Sequence, residues 1–337
     1  MIILVDAMGG DNAPREIVLG CMDAISESDG FDILLIGDSE KINSIINEKK
    51  FNNPRLKIHH ASDVITGEDV PTKAIKNKKD SSMVVGFNLL KEGKGDVFLS
   101  AGNTGALLAG GLFILGRIKG VDRPALAPIV PTAAGATIII DGGANTVCKP
   151  INLLQFGVMG SLYMKEVFGI ESPKVGIVNV GSEEKKGNEF IKQSSSLLSK
   201  ANINFIGNVE GNQIPEGKVD VAVCDGFTGN VVLKFMEGLA KTLIGELKGV
   251  FLKNFITKIS YLAIKKHFKS FSKKLDASEN GGAPLLGING RVIKGHGNSK
   301  AKAIKSAINK AYVFAQSSMI EQLKEQFINT EVDEIEQ

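Results

Sequence analysis

Five short clusters rich in glycine, asparagine and aspartate hold the residues of this chain best suited to chemistry. They are DAMGGDN at 6–12, SAGNTG at 100–105, DGGAN at 141–145, NVGSEEKKG at 179–187 and DGFTGN at 225–230. Glycine lets a backbone approach a ligand closely and take positive φ, and the amides at a helix start form a ready anion site. Phosphate suits such loops. Asn12, Asn103, Asn145 and Asn230 add neutral donors and acceptors, suited to phosphate or a developing oxyanion without strong charge neutralisation. A lone glycine turn more often just caps a helix or closes a loop, but five in succession favour a ligand.

Other reactive side chains have plainer readings. Of the four histidines, only His296 lies in a glycine-rich polar setting, GHG, where it is either structural or a proton carrier. Cys148 and Cys224 follow or end apolar runs; buried small thiols fit them better than acyl acceptors. Lys185 and Lys186 are either a solvated pair or face a phosphate. The chain has no GxxxxGK[ST] loop, GxGxxG fingerprint, GxSxG elbow, HExxH or paired CxxC, so kinase-like, dinucleotide-dependent and serine-hydrolase chemistries lose weight.

The clusters follow short apolar runs at Ile2–Val5, Val97–Leu99, Thr137–Ile140, Val175–Val178 and Val219–Val223, with further runs at Ile33–Ile36 and Phe205–Ile206. Near-continuous β-branched runs read as strands buried on both faces. Helical spacing fills the intervals at 15–26, 40–50, 81–91, 106–118, 152–167 and 189–200. This alternation predicts a mainly parallel sheet with helices on both faces, and loops at the carboxyl ends of its strands that gather into a single crevice.

From Val231 to Leu275 the rhythm changes. Val232, Phe235, Met236, Leu239, Leu243, Leu247, Val250, Phe251, Phe255, Ile259, Leu262 and Phe268 keep helical spacing, predicting one or two helices projecting from the sheet. The second half carries Lys258, Lys265, Lys266, Lys269 and Lys273, a basic amphipathic character that fits core packing, an acyl-chain and carrier-protein groove, or a membrane surface. A glycine-rich passage, GGAPLLGINGRVIKGHGNS, precedes a helix expected over about 300–326. Residues 1–330 are read as one α/β domain containing the 231–275 projection, and 331–337 as a frayed acidic tail.

Composition narrows the partners. Forty basic and 37 acidic side chains leave +3, too little for nucleic-acid binding through the whole surface. Three cysteines without paired spacing argue against a disulfide framework or structural zinc. The amino terminus lacks the regions of a signal peptide and no long apolar span occurs, so a cytoplasmic protein is expected, or one peripheral on the inner face of the cell membrane.

DAMGGDNAP at 6–14, SAGNTGALLAGG at 100–111, RPALAPIVPT at 123–132, DGFTGNVVLKFMEG at 225–238 and GGAPLLGINGRVIKGHG at 281–297 together resemble the bacterial phosphate acyltransferase family of phospholipid synthesis. The resemblance runs in order over nearly the whole chain. It implies a three-layer α/β/α fold like that of phosphotransacetylases and of isocitrate and isopropylmalate dehydrogenases, assembled as a homodimer. It also implies transfer of a long-chain acyl group from acyl carrier protein to inorganic phosphate, supplying acyl phosphate to a membrane-bound glycerol-3-phosphate acyltransferase. In that family an Asp usually precedes the LysPro pair that follows DGGAN; Val147 stands there in this chain.

A thioester is already activated, so this reaction needs a positioned phosphate, oxyanion donors and stabilisation of the leaving thiolate, without a covalent enzyme intermediate. The expected phosphate ligands are Gly181, Lys185, Gly226, Thr228 and Gly229. Asn103, Thr104 or Asn230 would donate to the oxyanion, and His296 would protonate the thiolate. Asp6, Gly9, Gly10, Asp11, Asn12, Asp141, Asn145 and Asp225 are expected to orient loops or line the substrate. No cofactor or metal is expected. The rival enzymatic reading is a short-chain phosphotransacetylase using coenzyme A. A dehydrogenase of the related fold would need clustered arginines, and the five present, Arg15, Arg55, Arg117, Arg123 and Arg291, show no cluster in the sequence.

Overall fold

The computed structural model describes residues 1–275 and 281–335. Runs such as IILV and ATIII have no polar face to turn to water, so they settle between helical layers. The first part of the chain forms β1 (Ile2–Asp6), α1 (Arg15–Glu27), β2 (Asp32–Gly37), α2 (Ser39–Glu48), β3 (Leu56–His60), α3 (Pro71–Asn77), α4 (Ser82–Lys91), β4 (Val97–Ser100) and α5 (Thr104–Gly110). A π-helical turn at Gly111–Leu115 ends α5. Then follow β5 (Ala125–Leu126), β6 (Ile129–Thr132), β7 (Gly135–Ile140), α6 (Pro150–Phe168), β8 (Val175–Asn179), α7 (Glu189–Lys200), β9 (Phe205–Glu210), α8 (Gln213–Glu216) and β10 (Val221–Val223). The last part comprises α9 (Gly226–Phe251), α10 (Phe255–Leu275), β11 (Ala283–Leu286), β12 (Val292–Lys294), α11 (Ala301–Gln316) and α12 (Met319–Ile335).

The strands form a seven-stranded sheet, β3-β2-β1-β4-β12-β11-β5, and a five-stranded sheet, β6-β7-β10-β8-β9. Seven pairings are parallel and three antiparallel, as the alternation predicts. Residues 125–132 belong to both sheets, pairing first with β11 and then with β7. The Gly142 N–H donates to the Leu126 carbonyl at 2.7 Å and the Ile139 N–H to the Pro128 carbonyl at 2.9 Å, closing the seam. The two sheets are therefore halves of one layer.

That seam reverses direction. β5 is antiparallel to β11 and β11 to β12, so residues 125–132 run with β1, β4 and β12, whereas β7 runs against β6. The loops at 6–12 and 100–105 thus leave one edge, and those at 141–145, 179–187 and 225–230 leave the other. This corrects the expectation of a single crevice.

One apolar cluster spans both half-sheets on one face, with Ile3, Val5 and Leu99 beside Ile140, Ile177 and Val221 under α1, α6 and α11. Smaller clusters cover the other face beneath α4 and α5, and at the base of α9. The expected long helix at 300–326 is two helices: at Ser317 the chain turns extended and the serine hydroxyl donates to the Phe314 carbonyl. The glycine-rich passage hides the β11–β12 hairpin. Of the expected frayed tail, 331–335 continue α12 and the last two residues lie outside those described.

Helices α9 and α10 project as expected. Phe235 (67% exposed), Leu239, Leu243 and Leu247 on α9 and Phe255, Ile256, Ile259 and Leu262 on α10 remain exposed, which removes the core-packing reading for most of the segment. Phe251 on α9 meets Tyr261 and Phe268 on α10 with ring centroids 5.5 Å apart, joining the two helices. Lys258, Lys265, Lys266 and Lys269 are exposed; the Lys273 side chain lies outside the described residues. Among the described residues no helix is long and apolar enough to cross a membrane.

Candidate active site

β1 and β4 pair in parallel register and deliver Asp6 and Ser100 side by side at their carboxyl ends. Ser100 Oγ donates to Asp6 Oδ2 at 2.6 Å, the Met8 N–H donates to Oδ1 at 3.1 Å, and the Gly102 N–H reaches Ser100 Oγ at 3.0 Å. Burial pushes the Asp6 carboxyl above its usual range, and the hydrogen bonds from Ser100 and the backbone oppose that. Gly9 is obligatory here, since a Cβ would lie 2.5 Å from Asp6 Oδ2 and 2.7 Å from the Gly102 nitrogen.

The rest of the 6–12 loop clasps the loop after β12. The Asp11 N–H donates to the Gly297 carbonyl at 2.8 Å, and Asn12 Nδ2 donates to the Asn298 and Ser299 carbonyls at 3.0 and 3.3 Å. Asp6 and Asn12 thus spend their polar atoms on hydrogen bonds to neighbouring backbone and to Ser100. On the facing wall Asn103 caps α5: its Oδ1 accepts the Ala106 N–H at 3.0 Å and its Nδ2 donates to the Thr66 carbonyl at 3.1 Å. The amides of Thr104 and Gly105 then open the helix with no partner inside it.

Between these walls lies a cleft of about 520 Å3, lined among others by Gly10, Asp11, Thr66, Asn103, Thr104 and Lys294. His296 is exposed beside Gly297, which also lines the cleft. Asn103, Thr104, Gly10 and Asp11 therefore come together, with His296 at the border. Lys294 escapes the sequence reading. It closes β12 next to Ser100 and is only 8% exposed, its Nζ donating to the Ala101 carbonyl at 3.3 Å and to that of Gly295. Burial lowers its pKa to about 8, opposed by the Asp6 and Asp11 carboxylates. The available signal was a lysine ending the apolar pair Val292–Ile293 directly before GHG.

The other edge is built around Asp141. Its Oδ1 accepts the N–H groups of Leu126, Gly143 and Ala144 at 3.0–3.1 Å, and its Oδ2 accepts the Asn145 N–H at 2.6 Å and Nδ2 at 2.9 Å. Burial raises the Asp141 carboxyl against these bonds. The Gly226 N–H donates to the Asn145 carbonyl at 2.7 Å, while Asp225 accepts the N–H groups of Phe227 and Thr228 and the Thr228 hydroxyl at 2.8–3.0 Å. A Cβ on Gly229 would fall 1.9 Å from the Asp141 carbonyl, and Asn230 Nδ2 reaches the Gly142 carbonyl at 3.4 Å. Asp141, Asn145 and Asp225 orient their loops. The donors at 226–228 offered to phosphate are already bonded inside the protein, and Gly229 is required by close packing.

Gly181 and Lys185 lie in a separate loop after β8, braced by Asn179 Nδ2 to the Lys186 carbonyl at 3.1 Å and Asn208 Nδ2 to the Glu183 carbonyl at 2.7 Å. Lys185 is exposed and Val147, in the 141–149 loop, is 81% exposed. Cys21 and Cys224 are buried with thiols pushed up by desolvation, and burial of Cys148 raises its pKa to about 11. All three thiols are protonated at neutral pH. Among the described residues no cluster of three or more His, Cys, Asp or Glu is placed to hold a metal ion.

Comparison with known proteins agrees with this architecture. Residues 1–322 match the family described as fatty acid synthesis protein. The chain is 63% identical over 337 residues to a phosphate acyltransferase of Acetivibrio thermocellus, covering 100% of this chain and 99% of the relative. It is 51% identical over 336 residues to a phosphate acyltransferase of Alkaliphilus oremlandii, covering both chains in full at 100%. Among solved structures, a phosphotransacetylase from Streptococcus pyogenes superimposes with a TM-score of 0.63 at 14% identity, covering 94% of each chain. A 4-hydroxythreonine-4-phosphate dehydrogenase from Klebsiella pneumoniae reaches 0.54 at 13% identity, covering 94% of this chain and 99% of that one. These two structures share the α/β/α fold.

Proposed function

This chain belongs to the phosphate acyltransferase family and is an acyltransferase, and on that premise we propose that it moves a long-chain fatty acyl group from acyl carrier protein to inorganic phosphate. The observation that carries the reading is the cleft at the β1–β4 edge. It joins flexible-backbone glycines, helix-start amides and a threonine hydroxyl, while the three thiols that could form an acyl-enzyme are all held protonated. Phosphate then attacks the thioester directly. Its oxygen bonds to the carbonyl carbon, the C–S bond breaks, and the proton of HPO4 2− ends on the departing sulfur, leaving an acyl phosphate and a free carrier thiol.

In this reading the amides of Thr104 and Gly105, with the Thr104 hydroxyl, stabilise the tetrahedral oxyanion. Asn103 fixes that helix start, and His296 at the cleft border passes the proton to sulfur. Asn230, Gly226, Thr228 and Gly229 seat α9 against the Asp141 loop. The exposed apolar face of α9 and α10, with its lysines, suits a long acyl donor and a peripheral membrane position. A homodimer passing acyl phosphate to a membrane-bound glycerol-3-phosphate acyltransferase completes the reading.

The test is a comparison of donors with hydroxylamine present to trap acyl phosphate as a hydroxamate. Hydroxylamine also cleaves thioesters directly, so the readout is the phosphate-dependent increment: palmitoyl carrier protein should yield more palmitoyl hydroxamate with phosphate than without it, with acetyl-coenzyme A a poor donor. Activity confined to acetyl-coenzyme A would establish the short-chain phosphotransacetylase reading instead.

A further inference from the structure

Lys294 takes no part in the chemistry set out above, yet it occupies the floor of the cleft. We propose that Lys294 is the phosphate-binding lysine of this enzyme, its ammonium holding the attacking dianion in the cleft that it lines with Thr104. The inference rests on the acyl-transfer reading and adds the group that binds its anionic substrate.

Geometry carries it. An ammonium has three donors, and here the carbonyls of Ala101 and Gly295 take two. A buried cation is costly unless compensated, and a medium-sized apolar side chain would close β12 at lower cost. Of the two carboxylates that act on it, Asp6 already accepts from Ser100 and Met8, and Asp11 is exposed. Thr104 and Gly105 line the same cleft as Lys294. A tetrahedral dianion can accept from the ammonium and from a second donor of the cleft together, since its oxygens point in different directions. Backbone crowding keeps the opposite wall bare: a Cβ on Gly10 would meet the Gly297 carbonyl at 2.9 Å. Asp11 is the carboxylate in the lining, and it is exposed, so water screens its repulsion more than it screens the buried lysine.

The charge of this lysine is conditional on pH. Around it stand Asp6 on β1, Asp11 on the adjoining loop and His296 two residues along; β4 and β11 contribute no charged side chain, and the lysine of α11 with a buried ammonium, Lys310, lies more than two helical turns beyond the start of that helix. With a pKa lowered to about 8, the ammonium is present below that pH and lost above it. Affinity for the phosphate dianion should therefore fall as pH rises through 8, by about tenfold between pH 7 and pH 9.

The experiment uses the full chain with palmitoyl carrier protein, varying phosphate at pH 7 and pH 9, with Lys294→Met and Lys294→Arg beside the wild type. At pH 7, Lys294→Met should raise the KM for phosphate at least tenfold while the KM for the acyl donor stays within about threefold. Lys294→Arg, charged throughout, should keep phosphate affinity and lose its decline at pH 9. Phosphate, against chloride at matched ionic strength, should raise the melting temperature of the wild type and not of Lys294→Met. A folded Lys294→Met with unchanged phosphate KM and unchanged phosphate stabilisation overturns the proposal. Should Lys294→Met fail to fold, the pH 9 behaviour of Lys294→Arg decides: a decline like that of the wild type overturns it. Absence of phosphate-dependent turnover in the wild type would sink the acyl-transfer reading instead, and the stabilisation by phosphate would still report on Lys294.

Discussion

Asp141 and Lys294 show the two ways in which a buried charge is tolerated in this chain. Asp141 is saturated by five N–H donors from Leu126, Gly143, Ala144 and Asn145, so its role is to hold a loop. Replacing it by Asn would turn an NH2 group against those donors, and Asp141→Asn should lose about 3 kcal/mol, read as a lower denaturant midpoint with an unchanged slope. Cys148 is the least buried thiol, and with its pKa near 11 it offers almost no thiolate at neutral pH. Cys148→Ser should keep activity within about threefold, and mass spectrometry after mixing with donor should show no acylated protein. Loop hydrogen bonds such as those of Asp6 and Asn12 were legible because Asp, Asn and Gly in one loop have few other uses. Lys294 was not, because its burial depends on β4 and β11 arriving from distant parts of the chain.

Helix α5 begins at a wall of the cleft, and Asn103 both caps it and ties it to Thr66. Asn103→Ala should cost about 1 kcal/mol and slow turnover by disordering Thr104, whereas Asn103→Asp keeps the cap acceptor and should keep most stability. The hairpin of α9 and α10 was readable from apolar spacing alone, though α9 starts five residues before Val231 because Asp225 caps it. Exposure could not be read there: the same spacing serves a core helix. Charging Leu239 and Leu243 together to Glu should leave stability within about 0.5 kcal/mol, since both are exposed. The same pair should abolish co-sedimentation with vesicles containing anionic lipid while sparing turnover of a soluble donor. Unchanged co-sedimentation would remove the membrane role from this face.

At the scale of the molecule, the two half-sheets share one apolar cluster and the 125–132 seam. Residues 1–330 should therefore melt in a single calorimetric transition; two separate transitions would mean two domains. The strand–helix alternation gave away the parallel layers, but the reversal at the seam stayed hidden. It arises because β11, about 160 residues further along the chain than β5, inserts antiparallel between β5 and β12. That reversal divides the five glycine-rich loops between two edges, and the cleft proposed for chemistry lies at the edge of β1 and β4. The most direct measurement is therefore the release of carrier-protein thiol from palmitoyl carrier protein, followed with and without inorganic phosphate. Release should depend on phosphate, saturate with it and match the acyl phosphate formed mole for mole. Equal release without phosphate, with free palmitate as product, would mean hydrolysis and would contradict transfer to phosphate.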